Sequence, residues 1–73
     1  MITKIGIVAG EILSLLEEAD QPMNVAVFPS RLDAPTEIVL MSIGWLAREG
    51  YVHMAEKDGK LFIFRSVEYH AVS

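Results

Sequence analysis

His53 and His70 are the only imidazoles in the chain, and neither has a second ligand at a spacing that would close a zinc site. With no Cys anywhere, thiolate metal sites and disulfides are excluded, and stability must come from packing and association. Glu17 and Glu18 are neighbours in sequence, so on a helix they diverge and cannot work as a general acid and base pair. Ser14, Ser30, Ser42 and Ser66 lack the His and Asp pattern that would activate a nucleophile. Gly6 and Gly10 could belong to a phosphate-binding turn only inside a βαβ sheet, which 73 residues are too few to build. The chain therefore reads as having no catalytic residues, no metal site and no cofactor, and as not being an enzyme.

What remains for chemistry is charge. The six basic residues, Lys4, Arg31, Arg48, Lys57, Lys60 and Arg65, stand against ten acids, giving a net charge of −4 and a pI near 4.9. That is the wrong sign for a free-standing domain that wraps nucleic acid by neutralising phosphates. Only Lys57 and Lys60 lie close together, around Asp58-Gly59. Hydrophobic residues make up 52% of the chain, more than a domain of this size can hide, since so short a chain buries only about 60% of its unfolded surface. Some of them should face a partner, and a homodimer is the natural outlet. No apolar run approaches the ~20 residues that cross a bilayer, and no export signal is legible, so a cytoplasmic location is expected.

The elements that position these residues follow from periodicity. Between Thr3 and Ala19, Ile5, Val8, Ala9, Ile12, Leu13, Leu15 and Leu16 recur near the 3.6-residue period and predict a first helix. Gly6 and Gly10 weaken it by ~1 kcal/mol each. One turn apart, they suit close approach of another element. Asp20-Gln21-Pro22 ends the helix, and Met23 to Val27 supplies either a brief strand or the entry to a second helix. Pro29 is tolerated only in a first helical turn, so the second helix starts near it and ends around Leu32.

From Thr36 to Glu49, Val39, Ile43 and Leu46 share one face and predict a third helix, stopped by Gly50. Tyr51 to Glu56 and Lys60 to Phe64 are β-prone, and Asp58-Gly59 between them favours a tight hairpin. The predicted order is helix, short helix, helix, hairpin, in one domain over 1–73 with a core at about 3–65 and a tail at 66–73.

The segment Ile43-Gly44-Trp45-Leu46-Ala47-Arg48-Glu49-Gly50-Tyr51-Val52 resembles the recognition helix and first wing strand of winged helix-turn-helix domains. With the opening Ile5-Gly6-Ile7-Val8-Ala9-Gly10-Glu11-Ile12, the chain is similar to a family of small stand-alone bacterial winged helices of unknown function. The resemblance implies an α+β fold, a winged helix-turn-helix with three helices followed by a two-stranded β-hairpin wing. It also makes the third helix the element that a DNA-binding relative places in the major groove.

With Val39, Ile43 and Leu46 inward, the opposite face carries Glu37, Leu40, Met41, Gly44 and Arg48, with Ile38 near the start and Trp45 on the flank. A DNA reader places Arg, Lys, Asn or Gln there. This helix offers only Arg48. The sequence thus points first to a protein-interaction module whose partner surface is Ile38, Leu40, Met41, Gly44 and Trp45, although a slightly rotated helix would make Leu40 and Met41 core residues instead. The alternative is a DNA-binding transcriptional regulator whose backbone contacts come from Arg31, Arg48, Lys57 and Lys60.

Overall fold

The structure, a computed structural model, describes residues 2–66. Helix α1 runs Ile2–Ala19 and ends where Asp20 turns left-handed, φ 52°, its N–H donating to the Leu16 carbonyl at 2.9 Å. Strand β1, Met23–Asn24, passes into a 3-10 turn, Val25–Val27, capped by the Asn24 side chain accepting from the Ala26 N–H at 2.9 Å. Both sequence alternatives for this stretch are therefore realised, one after the other. Helix α2, Phe28–Leu32, holds Pro29 in its first turn, where no N–H is needed, and closes on left-handed Asp33.

Helix α3, Thr36–Arg48, ends as its sequence predicts. Gly50 at φ 84° donates to the Ala47 carbonyl and Tyr51 to that of Leu46, the paired bonds of a Schellman cap. That cap turns the chain straight into β2, Val52–Lys57, which pairs antiparallel with β3, Lys60–Arg65. Lys57 lies opposite Lys60, so the loop is Asp58-Gly59 alone, both at positive φ as the tightest hairpin turns require.

The wing is larger than a hairpin. β1 adds to the far side of β3, Met23 opposite Ile63, to give a three-stranded sheet in the order β1-β3-β2. Two residues carry no readable alternation, and the pairing is set by the core beneath it. That core joins Val8, Ile12 and Leu16 of α1 to Phe28, to Val39, Ile43 and Leu46 of α3, and to Val52 and Ile63 of the sheet. Among the described residues no helix is long and apolar enough to cross a membrane.

Gly6 and Gly10 depart from the close-approach role. A Cβ at either would meet nothing within 4 Å, because α1 packs on α3 through its other face. Both therefore carry the helix cost of glycine with no compensating contact in the chain. Gly6→Ala and Gly10→Ala are each expected to raise stability by about 0.4–1 kcal/mol, seen as a higher urea midpoint at unchanged slope. A lower midpoint would mean that something does press on this face.

Candidate nucleic-acid interface

The site is built on α3. Its inward arc is Val39, Ser42, Ile43 and Leu46, all buried. At 100° per residue the opposite arc holds Glu37, Met41, Gly44 and Arg48, flanked by Leu40 and Trp45. Leu40 is 49% exposed, and Met41 and Trp45 are each 46% exposed. No atom lies within 4 Å of where a Cβ on Gly44 would be. Ile38 falls between the arcs and is half-buried against the core, so four of the five residues of the expected partner surface share the exposed face.

Two features were hidden from sequence. Ser42, read only as a serine without a triad, is completely buried and ties α3 to α1: its hydroxyl reaches the Ile38 carbonyl at 2.7 Å and the Ile5 carbonyl at 3.2 Å. The second is a cleft of about 370 Å³ lined by Asn24, Val25, Ala26, Leu40, Gly59, Lys60 and Leu61. It brings the tip of the wing, Gly59 and Lys60, to Leu40 on the flank of the exposed arc of α3, beside the Asn24–Ala26 stretch. Only the packed fold could show it, since Leu40 and Lys60 are far apart in the chain.

The four basic residues of the alternative reading are all exposed. Arg31 stands in the last turn of α2 and Arg48 in the last turn of α3, where a cation complements the helix dipole. Lys57 and Lys60 flank the hairpin turn, and Lys60 also lines the cleft beside Leu40. Glu37 occupies the first turn of α3. Trp45 and Tyr51 meet with ring centroids 6.1 Å apart, which braces the end of α3 against the start of the wing. His53 is exposed with its ring 5.6 Å from that of Phe64, while His70 lies outside the described residues.

No curated protein matches the chain significantly. Solved structures do. HlyU from Vibrio cholerae N16961 is 27% identical, with a TM-score of 0.72 over 85% of this chain and 66% of that one. Protein BT2368 from Bacteroides thetaiotaomicron is 28% identical, with a TM-score of 0.76 over 94% of this chain and 80% of its own. The transcriptional regulator HlyU from Vibrio vulnificus CMCP6 is 22% identical with a TM-score of 0.74 over 88% and 66%, a likeness of fold. The chain spans 66% of the length of these two HlyU chains.

These likenesses overturn the reading that puts protein contacts first. The V. cholerae protein shares its name with the V. vulnificus protein described as a transcriptional regulator, not as a protein-contact module. The sequence reading rests on the lack of hydrogen-bonding readers along α3, which the structure retains, and on net charge, which averages over the surface. That average does not describe the hollow where α3 meets the wing. The winged helix-turn-helix domain family DUF2582 matches residues 1–65, and the chain belongs to it.

Proposed function

We propose that this protein is a non-enzymatic, cytoplasmic DNA-binding regulator, one domain over its 73 residues, that lays α3 in the major groove and the wing tip against the flanking backbone. The observation that carries the reading is the shared hollow of α3 and the wing, with Lys60 in it, in a chain 27% identical to V. cholerae HlyU. Arg31, Arg48, Lys57 and Lys60 supply phosphate contacts. Four such contacts predict a salt slope of roughly −3 to −4 per copy, or about a hundredfold loss of affinity between 50 and 200 mM salt. Two copies on a two-fold site would double the contacts and fix the half-site spacing.

The test is selection from a randomised duplex library with the full chain, followed by anisotropy titrations across that salt range. A recovered consensus bound with that slope supports the reading, whereas no enrichment over the starting library overturns it. Replacing Lys57 and Lys60 together by alanine is expected to make the slope about two units shallower while leaving the consensus unchanged, because phosphate contacts position and do not specify.

A further inference from the structure

We infer that α3 reads its target through the C5-methyl groups of thymines, using Leu40 and Met41 in place of hydrogen bonds. This rests on the DNA-binding reading above. The exposed arc of α3 has hydrogen-bonding side chains only near its ends, Thr36 and Glu37 at one and Arg48 at the other, with the Trp45 indole on a flank. The two turns between them present Leu40, Met41 and Gly44. The core does not claim these residues: Val39, Ile43 and Leu46 on the same helix are almost completely buried, while Leu40 and Met41 stay half exposed.

Base edges in the major groove are polar except at one place, the thymine methyl. An apolar side chain set against any other edge strips water from a donor or acceptor and returns no bond, so Leu40 and Met41 discriminate by the methyl they cover. Gly44 adds to this. With no Cβ and nothing near it, it lets the helix axis sink towards the bases. The DNA-binding reading supplies the occupant of this face, and Lys60, which lines the same hollow as Leu40, is a cation that can hold a phosphate beside the apolar contact.

The test uses the full chain and the duplex selected above, with every thymine replaced by deoxyuridine. Pairing is kept and only methyls are lost. Affinity is expected to fall roughly fourfold for each methyl covered, with the salt slope unchanged. Leu40→Ala with Met41→Ala, checked for an unaltered circular dichroism spectrum, is expected to bind the thymine and deoxyuridine duplexes alike. Equal affinity of the parent chain for both duplexes overturns this inference and leaves DNA binding standing; failure to bind any duplex overturns both. A gain on 5-methylcytosine with no loss on deoxyuridine gives the face to methylated cytosine and overturns the thymine assignment. So does a Leu40→Lys variant that breaks apart a DNA-free dimer but keeps the parent's response to deoxyuridine, which gives the face to a second copy.

Discussion

Replacing Phe28 by alanine is expected to cost about 3–5 kcal/mol and to leave much of the chain unfolded at room temperature. Phe28 is completely buried and is the largest such side chain, yet it belongs to a helix of only five residues. A helix that short has no stability of its own. It is held because Phe28 enters the cluster formed by α1, α3 and Ile63 of the sheet, so truncation removes the anchor of α2 as well as the aromatic volume. A chain of 73 residues has a total stability of roughly 4–11 kcal/mol, so the loss is comparable with the whole. Urea unfolding followed by circular dichroism measures it. A loss below about 1 kcal/mol would show that α2 is not integral to the core.

Much of this architecture can be read from the residues. The stripe Val39, Ile43, Leu46 and the glycine after it locate α3 almost to the residue, because a buried face and a left-handed cap are both local demands on composition. Asp58-Gly59 does the same for the hairpin. Other features depend on partners distant in the chain. β1 is a strand only because β3 runs beside it, and Ser42 matters only because the Ile5 carbonyl lies opposite.

The site was legible in part. Helical spacing leaves Leu40 and Met41 open between core and surface, because a small rotation of the helix exchanges the two. The packed fold exposes both, but the meaning of that face is not set by spacing. An apolar arc fits a protein partner and a row of thymine methyls equally well by composition. The proposal of a nucleic-acid partner leans on the cleft shared with Lys60 and on the likeness to HlyU, and neither is a property of α3 by itself. The excess of apolar residues is also smaller than it looks, because Ile38, Leu13, Leu15 and Tyr51 are drawn partly against the core.

Ser42→Asp is expected to destabilise the fold by roughly 3–5 kcal/mol at neutral pH, far more than Ser42→Ala, for which about 0.5–1.5 kcal/mol is expected. The native hydroxyl shares its one proton between the carbonyls of Ile38 and Ile5, at 2.7 and 3.2 Å, in a position with no exposure to water. Alanine gives up those bonds but leaves nothing stranded, since each carbonyl lies within a helix and accepts from its own ladder as well. A carboxylate has no proton to give. It would face two carbonyl oxygens across the contact that holds α1 on α3, so the charge would be buried without a partner and beside like partial charges. Burial raises the pKa of such a carboxyl above its unfolded value, so the deficit is full above the raised pKa and shrinks as pH falls through it. Protonation also restores a donor for the same carbonyls. Urea titrations of the three proteins at pH 7 and pH 5 are expected to show the aspartate variant recovering relative to the alanine variant at the lower pH. If Ser42→Asp matches Ser42→Ala at both pH values, water reaches this position and the α1–α3 contact is looser than its buried hydrogen bonds imply.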